Sequence, residues 1–162
     1  MPLLLFSLLL GFFNGCRTMT PVAVLCWFAY AGRLQSAETW FAFLAHPWAV
    51  ALFTLCAAGE LVVDKLPMTP SRLQAPLLLA RLCGGAFVGA VLGSVVLAAA
   101  RSGAMLGASG ALLGALAGYW LRTRTVTHFK LPDYVVALTE DALVIAGSIA
   151  VVAWAIRYAE GA

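Results

Sequence analysis

The chain has 162 residues, of which 63% are hydrophobic and only 10% charged, against roughly 25% charged in soluble globular proteins. Its mean hydropathy is +0.96, and a chain this short has too little interior to hide so much apolar surface. The composition excludes a disordered chain and a water-soluble globule, and a net charge of +3 is too thinly spread for nucleic acid. The solvent that remains is a lipid bilayer.

A bilayer core of about 30 Å needs roughly 20 helical residues to cross it. Six apolar segments can be marked within a single domain, 1–162. The first runs from Pro2 to Gly15 and is followed by a turn, Cys16–Thr20. It resembles a signal-peptide core but lacks a basic start and a small-x-small site, so it reads as a retained helix. The second opens at Pro21, a good first-turn residue, and runs to Gly32. Gln35 to His46 is amphipathic, which predicts an interfacial helix, with Trp48 as a second anchor. The third segment spans Pro47–Leu66, and a polar connection, Pro67–Ala75, follows. The fourth spans Pro76–Ala100, with a turn at Arg101–Gly103, and the fifth spans Ala104–Leu121. Arg122–Asp133 reads as a basic connection, and the sixth segment spans Tyr134–Ile156.

If all six cross, the first, third and fifth connections share one side. They carry Arg17, Lys65, Arg72, Arg122, Arg124 and Lys130, against Arg33, Arg101 and Arg157 opposite. The positive-inside rule then places both termini outside the cytoplasm. The first segment is short enough to be re-entrant instead.

Gly85, Gly89 and Gly93 recur every four residues on the fourth segment, and Gly110, Gly114 and Gly118 on the fifth, with Gly103 and Gly107 before them. Membrane helices gain most from close backbone approach. Two such ridges joined by a short turn predict an antiparallel glycine-zipper hairpin. The alternative is that the same grooves face a second copy in a homo-oligomer.

Charge inside a span is costly and marks a functional site by default. At 1.5 Å per residue, Glu60 lies about 8 Å before Lys65 and Arg81 about 8 Å into the fourth segment. Asp64 is one turn beyond Glu60 on the same face. Glu140 and Asp141 lie about 10 Å into the sixth segment from that same side. The first segment is roughly 21 Å long, so the turn carrying Asn14 and Arg17 stops about 9 Å short of the inner surface. These counts gather Arg17 and Arg81 opposite Glu60, Asp64, Glu140 and Asp141. Four acids against two arginines predict a vestibule for an ion or polar solute, with Glu60 positioned by Arg17. The alternative is a salt-bridged staple between helices.

Gly15-Cys16-Arg17-Thr18-Met19-Thr20-Pro21 fits a G-x-R-x-x-x-P turn, and Glu60-Leu61-Val62-Val63-Asp64-Lys65-Leu66-Pro67 fits an E-L-x-x-D-K-x-P helix end. With Glu140-Asp141 at the start of the last segment, these resemble a small bacterial inner-membrane family catalogued as a domain of unknown function. The resemblance covers most of the chain and implies a compact helical bundle in a bacterial membrane. It brings no activity.

Other chemistry is weakly represented. Cys16, Cys26, Cys56 and Cys83 have no C-x-x-C spacing and no histidine beside them, so no metal and no cofactor is expected. No nucleophile triad or phosphate-binding glycine motif is present, and no catalytic residue is assigned. The basic residues Arg122, Arg124 and Lys130 suit anionic headgroups. The expected fold is an all-α integral membrane bundle of about six transmembrane or re-entrant helices. The expected function is a small transporter or channel whose partners are the bilayer and a small ion or polar solute. A non-transporting scaffold or assembly factor is the alternative, and a membrane-embedded lipid-modifying enzyme is a third.

Overall fold

The computed structural model describes residues 2–64, 74–97, 99–129 and 133–161. Among these residues six α-helices follow one another: α1 (Pro2–Cys16), α2 (Met19–Tyr30), α3 (Pro47–Val63), α4 (Ala75–Leu97), α5 (Ala100–Phe129) and α6 (Asp133–Glu160). Three apolar stretches, Ala75–Val95, Ala100–Leu121 and Val135–Glu160, are long and apolar enough to cross a membrane. Helices α1, α2 and α3 are apolar but shorter; α1 and α2 rise only about 22 and 18 Å.

Local chemistry sets the ends. Gly32 sits at φ +68° after α2. Its N–H bonds the Ala29 carbonyl at 3.0 Å, and the Arg33 N–H bonds the Phe28 carbonyl at 2.9 Å. This is the glycine-closed helix end that needs a left-handed residue. His46 is extended (φ −83°, ψ 138°) ahead of Pro47, which opens α3, as residues before proline prefer.

Three expected boundaries move. The stretch 35–46 is not an interfacial helix; it holds turns and one short 3-10 segment, Ala42–Ala45. Glu38 lies at φ +60°, which no right-handed helix accommodates. Thr39 also bonds the Ser36 carbonyl through both its N–H, at 3.2 Å, and its hydroxyl, at 2.5 Å, a competitor to helix formation. Helix α5 begins at Ala100, so Arg101–Gly103 belongs to its first turn and is not a connection. Helix α5 also continues through the basic stretch to Phe129. Arg124 there stacks over the Trp120 ring at 4.0 Å, one helical turn away. Lys65, Arg72, Lys130 and the side chains of Arg122 and His128 lie outside the described residues.

Glycine decides how the long helices approach. A Cβ on Gly89 would strike the Gly103 carbonyl oxygen, and one on Gly107 the Gly85 carbonyl oxygen. Gly11 and Gly15 of α1 meet Gly107 and Ala111 of α5 in the same way. Gly110 and Gly114 do not face α4 as the four-residue ridge predicts; they meet the Leu8 and Phe12 carbonyls of α1. Position 110 is three residues past 107, which turns it about 60° around the helix.

Contacts between side chains and backbone fix directions. Ser7 Oγ donates to the Gly89 carbonyl at 3.2 Å, and Asn14 Nδ2 to the Arg81 carbonyl at 3.0 Å. Helices α1 and α4 are therefore antiparallel, and α1 and α5 parallel. Phe13 lies on Gly147 and Phe6 on Tyr158, so α6 also opposes α1. Trp27 Nε1 donates to Thr54 Oγ1 at 3.1 Å, and the start of α2 meets Glu60 near the end of α3. Helix α2 thus runs back beside α3, making α1 and α2 a hairpin whose tip is Arg17–Thr18. The buried core between them includes Leu10, Leu25, Val88, Leu92 and Val152.

Candidate functional site

The hairpin tip leaves two helix ends exposed to the interior: carbonyls at the end of α1 and N–H groups at the start of α2. Such groups must find partners when buried. Arg81, on α4, places Nη1 at 2.6 Å from the Gly15 carbonyl and 2.9 Å from the Cys16 carbonyl. Glu60, on α3, accepts the Thr18 N–H on Oε1 and the Met19 N–H on Oε2, both at 2.8 Å. Each charge has the sign that the helix dipole favours at that end. Pro21, in the third position of α2, loses no helical bond because that N–H would have had no partner within the helix.

Arg17 stands between these two caps with its side chain fully buried. Nη1 pairs with Asp64 Oδ2, on the residue that ends α3, and Nη2 pairs with Asp141 Oδ1, about 12 Å into α6. Both acids are at least nine-tenths buried at the side chain. The triad therefore carries one guanidinium against two carboxylates. Among the described residues, Asn14 Oδ1, Thr20 Oγ1 and Ser148 Oγ, all in buried side chains, have no hydrogen-bond partner. Thr20 lies in the first turn of α2, and Ser148 lies two turns beyond Asp141 on the inward face of α6.

The structure sorts the predicted residues into three groups. Arg17, Asp64 and Asp141 meet directly. Asn14, Glu60 and Arg81 serve backbone groups, so Glu60 is not positioned by Arg17. Glu140 is among the residues lining a cavity of about 500 Å³ between α1, α5 and α6 and has an interaction of its own within the protein. Phe13 and Trp120 of that cavity, together with Thr20 and Ser148, were not anticipated. A polar residue inside an apolar run was the available signal for Ser148. Among the described residues, no group of three or more His, Cys, Asp or Glu is arranged to hold a metal ion.

The paired ends of the hairpin are encoded by Gly15–Pro21 and by Glu60–Asp64, the segments that carry the family resemblance; Lys65 to Pro67 lie outside the described residues. Residues 4–159 match the sequence model of a family described as a domain of unknown function, DUF4126. The chain belongs to that family. Comparison with curated proteins and with solved structures returns no match. Within this DUF4126 chain the charged tip is the most chemically loaded place in the fold. Five ionisable side chains and two helix ends converge there.

Proposed function

We propose that this chain is a multi-pass protein of the bacterial inner membrane that moves an ion or polar solute. The Asp64–Arg17–Asp141 triad is its working site. The observation that carries this reading is the buried triad itself. Three ionisable side chains meet in the interior of an apolar bundle, where charge is costly and marks a functional site. Three residues to either side of Arg17, Asn14 Oδ1 and Thr20 Oγ1 have no partner among the described residues and are open to a cation or to water. A broken helical hairpin reaching a buried charge is also the arrangement by which transporters place a site within the bilayer.

In this reading, α4, α5 and α6 span the membrane and the α1–α2 hairpin is re-entrant, too short for about 30 Å of hydrocarbon. The close α4–α5 contact acts as a glycine zipper. The connections rich in arginine and lysine face the cytoplasm.

A second reading has its own support. Glu60 and Arg81 are used on backbone groups, which is how a staple holds helices and not how a site holds a solute. In that reading the protein is a non-transporting scaffold or assembly factor.

The test is flux. Purified protein in sealed liposomes is given a proton or sodium gradient, and uptake is followed by a pH- or sodium-sensitive dye. Flux above empty liposomes, lost in Asp141→Asn, supports transport. A folded, inactive wild type supports the scaffold.

A further inference from the structure

The geometry points to a seat for one acyl chain of a membrane phospholipid in the cavity between α1, α5 and α6, entered from the end where Trp120 and Arg124 lie. This rests on the reading that α5 and α6 cross a bilayer, and it holds for a transporter and a scaffold alike.

The chemistry of the wall selects hydrocarbon. The cavity holds about 500 Å³, within the range of about 300–1,000 Å³ that small-molecule sites occupy. Phe12 and Phe13 of α1, Trp120 of α5 and Leu143 and Val144 of α6 give it a carbon surface. The polar side chains of Cys16, Thr139 and Glu140 are already engaged. The Cys16 thiol meets the Gly114 carbonyl at 3.5 Å, and the Thr139 hydroxyl donates to the Val136 carbonyl at 2.9 Å. Glu140 has an interaction within the protein. A polar occupant would give up water and find little to replace it. Within a bilayer, the alternative to a hydrocarbon occupant is a void, whose lining forfeits its dispersion contacts.

Length and position select a lipid chain. From Val135 to Val144 the wall runs about 13 Å along α6, close to one leaflet of a hydrocarbon core about 30 Å thick. Trp120, Leu121 and Leu143 of the wall are each more than half exposed, so the cavity opens sideways. Arg124, three residues past Leu121, stacks over the Trp120 ring at 4.0 Å. Tryptophan with a long basic side chain beyond it marks a membrane–water boundary. The open end thus lies at headgroup depth, and the far end, at Phe12, Phe13 and Val144, lies toward the bilayer midplane. A chain whose headgroup stays in water follows that run. Arg124 has an interaction within the protein, and seating the chain does not call on its charge, so the headgroup is not selected.

The experiment counts lipid. Purified protein is reconstituted into liposomes of dioleoyl phosphatidylcholine or dioleoyl phosphatidylglycerol and extracted in mild detergent, and its bound phospholipid is measured by native mass spectrometry. The wild type should retain about one phospholipid per chain more than Ala117→Phe, whose ring fills the cavity without changing charge. Retention of the two headgroups should agree within about threefold. Met105→Phe, on an exposed face of α5 outside the cavity, should retain lipid as the wild type does. Equal retention in the wild type and Ala117→Phe overturns the proposal, and so does equal loss in Met105→Phe. A preference of about tenfold for phosphatidylglycerol also overturns it, because a headgroup contact and not the chain would then hold the lipid. Should Ala117→Phe fail to fold, Val135→Phe at the open end takes its place with the same outcomes. A wild type that does not enter liposomes removes the membrane reading itself, and the seat with it.

Discussion

Arg17 joins Asp141 across the interior, from the tip of the α1–α2 hairpin to a point about 12 Å inside α6. Its other nitrogen holds Asp64 at the end of α3. A single side chain thus ties the hairpin tip to α3 and α6.

Arg17 is the member shared by both pairs. Arg17→Ala removes the common partner of two buried acids and should cost about 3–5 kcal/mol, as removal of one partner of a buried pair does. Asp141→Asn keeps the shape and the Arg17–Asp64 pair and should cost less. Thermal unfolding in detergent reads the difference. Equal losses in the two variants would mean that the Asp141 charge holds the helices as strongly as Arg17 does.

Glu60→Gln should destabilise the protein by about 1–2 kcal/mol, the scale of a lost helix cap. The carboxylate accepts two backbone N–H groups, and a glutamine turns one donor toward a donor. Hydrogen exchange at the Thr18 and Met19 amides should quicken with the loss. Unchanged protection at both amides would show that the cap contributes nothing.

Glycine substitutions distinguish two helix contacts. Gly89→Leu should drive α4 from α5, and Gly114→Leu should drive α1 from α5, each costing about 1–3 kcal/mol as overpacking does. Gly59, with no atom within 4 Å of a built Cβ, is the internal control. Its leucine variant should melt like the wild type, apart from helix propensity. If all three melt alike, the close contacts at Gly89 and Gly114 are not held in solution.

Orientation is tested with reporters. A fusion after Phe129 should be cytoplasmic and one at the C-terminus periplasmic, because arginine and lysine concentrate in the first, third and fifth connections. Both reporters on one side would remove the crossing of α6 and, with it, the depth at which Asp141 is placed.

Six helices, their order and the residues that matter at the tip are legible in one dimension. An apolar run of given length has few alternatives to a helix once backbone groups must be satisfied internally. A charge within such a run stands out by its cost. The partners are not legible. Glu60 and Asp64 are one turn apart on α3, yet one caps α2 and the other meets Arg17. Glu140 and Asp141 are adjacent, yet one lines a cavity and the other enters the triad. Gly103 and Gly110 belong to one glycine-rich helix, yet they serve α4 and α1 respectively. Composition and spacing determine position and face along a single helix. Which neighbour that face meets depends on the rotation and register of several helices packed together. Tertiary contacts alone set these, because each is fixed by close backbone approach at glycines and by buried charges finding the nearest opposite end.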